Sequence, residues 1–338
     1  MLGYLFQAWA VTDDPPDYKL IDTRGSSHVL ISPVFFLIAL AQVIFLTATG
    51  MVSIIHVNLS SRGSTVRKFF FCVVAYISRT PFVIHLHGSM FDVFFRTLPS
   101  MGRFLVRWMF ARATRVVVLG ERWRDFVTSE IGVTRSRIEV IYNGVPRPVA
   151  MPDQGPSTPS PCHILFLGRL DRRKGVPELL SALAHPALRD LSWRATLAGD
   201  GVVDAYRRQA AELGLADRLT FPGWLDQRQV EGLLREADAL VLPSHHEGLP
   251  VAVVEALAHR VATITTPVGA LPEFLVHEKS SLVVTPGDPE ELAGALSRVI
   301  TDRGLRDAIA KGGYDVFTRH FDISKTAEAF ARVYLSVC

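Results

Sequence analysis

Short apolar runs alternate with longer amphipathic stretches along most of this chain, the pattern of strands and helices taken in turn. Near the start, Asp13–Asp17 reads as a loop and Tyr18–Asp22 as a short strand. Val29–Ser61 contains no Lys, Arg, Asp or Glu, and uncharged chain of that length matches a membrane span. Pro33 and the turn-like Thr47–Gly50 instead divide it into a helix over about 33–46 and a buried strand over about 52–58. A helix lying with its apolar side on a membrane is a third reading of the same pattern. Arg62–Lys68 is a polar turn into the apolar helix Phe69–Ile77, and the alternating strand Pro81–His87 ends at Gly88. There follow an amphipathic helix near Pro99–Ala113, a strand Arg115–Gly120, a helix Glu121–Ile131 and a strand Ile138–Tyr142 closed by the turn Asn143-Gly144.

From Pro146 to Pro161 proline, serine, threonine and glycine replace the periodic pattern, which marks a linker. The alternation then restarts. Strands are expected at His163–Leu167, Arg194–Ala198, Leu219–Phe221, Ala239–Leu242, Val261–Thr265 and Leu282–Val284. Helices are expected at Pro177–Leu188, Val202–Leu213, Gln227–Ala237, from Pro250, at Pro289–Thr301 and through most of Leu305–Val337. This is an α/β chain with two doubly wound, Rossmann-like domains, over residues 1–148 and 162–310, joined by a linker at 149–161. In such folds ligands bind beyond the carboxyl ends of the strands.

Composition agrees with two cores: 338 residues, 49% apolar and 20% charged, with no low-complexity bias. A net charge of +3 does not call for nucleic acid as a partner. Cys72, Cys162 and Cys338 lie far apart without metal-binding spacing, and read as reduced residues of a cytoplasmic protein. The first residues lack the basic region and cleavage site of a signal peptide.

The candidate chemistry falls at strand ends. In Leu242–Leu257 a strand turns through Ser244–Gly248 into a helix that opens at Leu249-Pro250, and proline suits a first helical position. Unpaired N–H groups at such a helix start attract phosphate, and Glu247 and Glu255 flank them. An anion site between two carboxylates suits a ligand with both phosphates and sugar hydroxyls. After the strand ending at Leu167, Gly168 permits close backbone approach while Arg169 and Lys174 offer the two cations a diphosphate needs without a metal. The same loop also fits a plain solvated basic turn. Ala198–Gly201 fits an ordinary strand-to-helix turn, and Asp200 is given no catalytic role. Trp224 and Leu225 follow a strand and can meet a base through main chain, with the Trp224 ring expected in packing. His85 and His87 share a strand face, with His87 at the ligand edge. Neither they nor His245-His246 bring the further spaced ligands a metal needs, and no Asp-x-Asp occurs, so no metal or other cofactor is expected.

Together these stretches resemble family 4 retaining glycosyltransferases of the GT-B fold. The resemblance rests on His87-Gly88, Asn143-Gly144-Val145, Gly168-Arg-Leu-x-x-x-Lys174-Gly175, Ala198–Gly201, Phe221-x-Gly223, Pro243-Ser244, Glu247-Gly-Leu-Pro-x5-Glu255, Pro267-Val-Gly269 and Pro272-Glu273, in that order. It implies two domains facing a cleft, with residues 311–338 as a terminal helix that returns to the first domain. Arg169 and Lys174 would neutralise the donor diphosphate. Main chain from Gly248 and Leu249 onward would hold diphosphate and sugar, with Gly168 close by. Glu247 would contact sugar hydroxyls, Glu255 the ribose, and the main chain of Trp224 and Leu225 the base. His87 would approach the reacting sugar from the first domain. The family's opening strand and glycine-rich loop have no counterpart before residue 30, and the Arg24–Ser27 turn does not replace them, so an N-terminally shortened member is expected.

The expected function is thus a retaining, metal-independent transfer from a nucleotide-diphosphate sugar to a glycan, lipid-linked or polysaccharide-precursor acceptor. The cytoplasm is the expected location, with peripheral contact at the inner membrane surface. Two alternatives stand beside it: a non-catalytic subunit that binds nucleotide sugar, and a nucleotide-sugar epimerase of the same fold.

Overall fold

The computed structural model describes residues 17–23, 25, 32–88, 90–148 and 161–337. The Asp13–Asp17 loop (Asp17 apart), most of the Arg24–Ser27 turn and linker residues 149–160 lie outside them. The chain divides into two bodies at Tyr142/Asn143 and at Lys325/Thr326. The sequence had suggested boundaries near 148 and 311. Residues 311–325 therefore go with the second body, and only the end of the chain joins the first.

The first body is built on four parallel strands in the order β1 (Ile55–Leu59), β2 (Phe82–Leu86), β3 (Arg115–Val118) and β4 (Ile138–Val140). Before and between them run α1 (Ser32–Ala48), α2 (Gly63–Ile77), α3 (Phe91–Thr97), α4 (Ser100–Arg112) and α5 (Glu121–Phe126), the last continued by a π turn to Ile131. The pleat sorts the side chains. Val57, Leu59, Phe82, Ile84, Leu86, Val116 and Val118 pack on one face with the helices that follow the strands. Val83, Val117 and Ile141 point to the other face, where they meet Ala327, Phe330 and Val333. Those three belong to α12 (Ile323–Leu335) and recur every three residues, the spacing that keeps one side of a helix on one surface. Tyr18–Asp22 is irregular rather than a strand, and α3 was not foreseen.

Helix α1 resolves the uncharged segment. It buries only Ala39 and Val43, and packs through them against Phe71 of α2. Val34, Leu37, Ile38, Ile44 and Phe45 remain exposed. No helix among the described residues is long and apolar enough to cross a membrane.

The second body has six parallel strands in the order β10-β9-β8-β5-β6-β7. In chain order these are β5 (Cys162–Leu167), β6 (Trp193–Ala198), β7 (Leu219–Gly223), β8 (Ala239–Leu242), β9 (Ala262–Thr265) and β10 (Leu282–Val283). The helices are α6 (Val176–Leu183), α7 (Val203–Glu212), α8 (Gln227–Glu236), α9 (Val251–Ala258), α10 (Pro289–Thr301) and α11 (Arg303–Val316). β5, β8 and β9 are buried along their whole length, as strands covered on both faces must be. The expected single helix at the end is three pieces: α11, a π turn at Phe317–Phe321 and α12. The sheet grows outward from β5 through β6 to β7, then returns to place β8 on the other side of β5. That reversal opens a crevice between the β5 and β8 loops, the position where doubly wound sheets take ligands.

Candidate functional site

The residues singled out from sequence in the second body converge at this crevice. After β5, Gly168 leads to a short 3-10 turn at Arg172–Lys174, where the Asp171 carboxylate accepts from the Lys174 backbone N–H at 3.0 Å. The turn ends at Gly175, whose φ is 72°. A Cβ there would stand 2.1 Å from the Pro243 carbonyl oxygen, so glycine alone lets the β5 loop lie against the end of β8. Lys174 is thereby aimed across the crevice, and its Nζ lies 2.5 Å from Glu247 Oε1.

Glu247 is itself buried, at 8% exposure. Its Oε1 also accepts from the Ser244 hydroxyl at 2.7 Å, and the Ser244 carbonyl accepts from Thr266 Oγ1 at 2.5 Å. A carboxylate removed from water needs such partners to remain charged. Gly269 holds the loop from behind, with φ 62° and space for no Cβ, because one would stand 2.1 Å from the Gly248 carbonyl oxygen. The neighbouring Ala270 N–H donates to that carbonyl at 2.8 Å. Leu249 is buried, and its carbonyl accepts from Asn143 Nδ2 at 3.2 Å. Pro250 is the residue before α9 rather than its first residue. The Val253 N–H already donates to the Pro250 carbonyl at 3.2 Å, so in the first turn it is the N–H groups of Val251 and Ala252 that lack an acceptor within the helix and can meet an anion. Glu255 follows on the second turn, half-buried.

Arg169 is different in kind. It is largely exposed, with Nε 3.7 Å from Asp171 and Nη1 4.0 Å from Asp200, so it stands at the rim on loose pairs while Lys174 is locked inside. The Trp224 ring, expected in packing, is 74% exposed, and Leu225 is half-buried. His245 pairs with Glu178 at 3.0 Å and His246 is exposed. Among the described residues no group of three or more His, Cys, Asp or Glu is placed to hold a metal ion. Sequence reasoning gave Ser244 and Asn143 places in motifs but not these partners. Their signal was only that a small hydroxyl residue and an amide stood beside the motif glycine and glutamate.

His87 belongs to the first body, and there it is part of a row. Asn58 and His56 on β1, and His85 on β2 with His87 just beyond it, project from the sheet face that Phe330 and Tyr334 of α12 cover. Tyr334 Oη lies 2.6 Å from His56 Nδ1, His56 Nε2 lies 3.2 Å from His85 Nδ1, and His85 Nδ1 lies 3.1 Å from His87 Nε2. His87 Nε2 is also 3.0 Å from Asn58 Oδ1. Burial pushes His56 down to about 4 and His87 down to about 3, and holds His85 well below the ordinary histidine range. The neighbouring rings add to the shift at His85 and His87. The row is therefore neutral at neutral pH. Its sequence signal was the paired alternation His56-x-Asn58 and His85-x-His87, of which only the second was recognised.

Two family descriptions match, one after the other: "Glycosyltransferase Family 4" over residues 23–147 and "Glycosyl transferases group 1" over residues 152–316. A glycogen synthase from Mycobacterium tuberculosis is 29% identical over 235 residues, which are 68% of this chain and 56% of that protein. The match thus spans little more than half of that relative's length. Among solved structures, sucrose-phosphate synthase from Thermosynechococcus elongatus superposes with a TM-score of 0.73 at 20% identity, over 90% of this chain and 78% of the other. Anabaena Alr3699/HepE in complex with UDP-glucose gives 0.70 at 20% identity, over 88% and 82%. These likenesses carry the fold, and the two family matches carry the rest: the chain belongs to the family 4 glycosyltransferases and has their α/β GT-B fold.

Proposed function

We propose that this chain is a retaining, metal-independent glycosyltransferase that moves a sugar from a nucleotide-diphosphate donor to a glycan, lipid-linked or polysaccharide-precursor acceptor. The observation that carries the reading is the buried Lys174–Glu247–Ser244 cluster at the point where the sheet order reverses. Lys174 and the α9 N-terminus meet the diphosphate, and Arg169 swings in from the rim to complete the charge. Gly168 leaves room for the phosphates to approach the backbone. Gly248 and Leu249 main chain holds phosphate and sugar, Glu247 takes sugar hydroxyls, Glu255 the ribose, and main chain at Trp224 and Leu225 the base. His87 serves the reacting sugar.

The chemistry follows from charge. The bond from the anomeric carbon to the β-phosphate oxygen breaks, the acceptor hydroxyl oxygen bonds to the same face of that carbon, and its proton passes to the departing phosphate. Negative charge grows on that phosphate as the bond lengthens. Fixed cations and N–H groups already in place stabilise it without reorganisation, and one such donor is worth about 10²–10³ in rate. Glu247 beside the sugar offsets the positive charge developing at the anomeric centre. Bringing the sugar in requires Glu247 to exchange part of its contact with Lys174 for hydroxyls, which frees the ammonium for phosphate.

The exposed residues of α1 motivate peripheral contact with the inner membrane surface. Met101 and Phe104 of α4 are exposed as well, and Arg62 and Arg79 stand exposed at the ends of α2. Apolar side chains with cations nearby suit an anionic bilayer surface. Flotation with anionic vesicles should carry the wild type and leave Leu37→Glu/Phe45→Glu behind. Equal flotation of both removes this clause. For the reaction, a panel of nucleotide sugars is offered with glycan and polyprenyl-phosphate acceptors in excess chelator. The anomeric configuration of the product is then read by NMR. An inverted product, or turnover only with added divalent metal, contradicts the reading.

A further inference from the structure

With the Asn58 amide oxygen facing His87, the histidine row of the first body takes one consistent proton arrangement. Asn58 Oδ1 can only accept, so His87 Nε2, 3.0 Å away, must carry a proton. That same nitrogen faces His85 Nδ1 at 3.1 Å, so Nδ1 of His85 is the acceptor. At the other end, Tyr334 Oη stands 2.6 Å from His56 Nδ1. If the phenol donates, His56 carries its proton on Nε2 and gives it to His85 Nδ1 at 3.2 Å. If the phenol accepted instead, His56 Nε2 would be bare, and His85 Nδ1 would need a proton that collides with the one on His87. Burial raises the Tyr334 hydroxyl well above its usual value, so the phenol stays protonated and has a proton to give. His85 Nε2 then holds the remaining proton. It is buried and without a partner, so no group at that end pulls the row into another state.

We infer that Tyr334, His56, His85 and Asn58 are positioning residues that hold His87 as a neutral ring protonated on Nε2. Both contacts of that nitrogen are internal, and among the described residues this leaves Nδ1 of His87 as the ring nitrogen to offer a ligand, with a lone pair. His87 thus accepts a hydrogen bond from a sugar hydroxyl and does not act as an acid. This rests on the proposed role of His87. The device reaches across the chain: β1, β2 and α12 all contribute, so residues of α12 set the state of a group that follows β2. Phe330 packs its ring on His56 and His85, which covers that part of the row with nonpolar surface.

The test is side-chain ¹H–¹⁵N correlation of the full ¹⁵N-labelled chain, with rings assigned by single His→Gln variants. All three histidines should show the Nε2–H neutral form at pH 7 and keep it at pH 5.5. His87 found as Nδ1–H, as a mixture, or as imidazolium overturns the inference. Tyr334→Phe should make His56 a tautomer mixture while circular dichroism and melting stay near wild type. Asn58→Leu should release His87 to a mixture and lower kcat about tenfold, with KM for the donor nearly unchanged. Asn58→Asp keeps an acceptor oxygen, so it should restore the Nε2–H form. Its added charge, facing His87 among His56, His85 and Tyr334, should bring an acid limb into the rate profile. Unchanged His87 spectra in Asn58→Leu also overturn the inference. A fully active His87→Ala would instead remove the sugar-binding role, while the spectra still decide the tautomer.

Discussion

Lys174 and Glu247 depend on one another because both are shielded from water, with side chains 14% and 7% exposed. Removing one member of such a pair leaves the other charged and unpaired, which costs about 3 kcal/mol or more. Lys174→Ala is therefore expected to melt markedly lower than wild type. Glu247→Gln keeps the shape and an oxygen for Ser244, so its stability change is smaller, while transfer falls by about 10²-fold. Thermal melting and single-turnover rates of the two variants check this, and wild-type stability of Lys174→Ala contradicts the pairing. The two residues were legible in the sequence because each follows an apolar run that ends in glycine or proline. Their mutual contact was not. It depends on β5 and β8 being neighbours, which residues 73 apart in sequence do not announce. The Trp224 ring was misread for a related reason: an aromatic beside a strand defaults to packing unless the open edge is known.

At the scale of elements, loops after β5, β8 and β9 are locked together through glycines that tolerate no side chain. Gly269→Ala combines a positive φ with a Cβ 2.7 Å from the Glu247 carbonyl oxygen as well as 2.1 Å from that of Gly248. The substitution should displace the Glu247 loop and weaken donor binding by at least tenfold, read as a change in Kd by titration. A Gly232→Ala control in α8, with open space around it, should leave binding unchanged. Equal affinities for both variants would show that the loop is not held this way. Most strands and longer helices were legible from alternation and apolar runs. The exceptions have local causes. α3 spans only Phe91–Thr97 and is too short for a helical period to stand out. α2 starts at Gly63, inside what reads as a polar turn, because burial of Thr65 and Phe71 overrides the weak propensity of its first residues. The π turns at Val127–Ile131 and Phe317–Phe321 leave no periodic trace at all.

Over the whole molecule, the two bodies should answer to different variables. The first carries the neutral histidine row, whose members titrate near 6.5 when unfolded. Folded, they hold out to about 4 for His56 and about 3 for His87. Their folded values are depressed, so the stability they contribute is complete above about pH 6.5 and is lost as the pH falls towards 4 and 3. Melting temperature should decline over that window, and decline less in His56→Gln. Matching slopes in both proteins contradict the row's neutrality. The second body should answer to nucleotide. Its crevice needs strand order as well as motifs, and the order β10-β9-β8-β5-β6-β7 was beyond what the sequence states. The most direct test of the central claim is calorimetric titration of a nucleoside-diphosphate panel into wild type and Lys174→Ala, with chelator present. At least one diphosphate should bind the wild type, lose about 10²-fold or more in the variant, and bind again without added metal in the wild type. No binding by any member, or equal binding to both proteins, would contradict the claim.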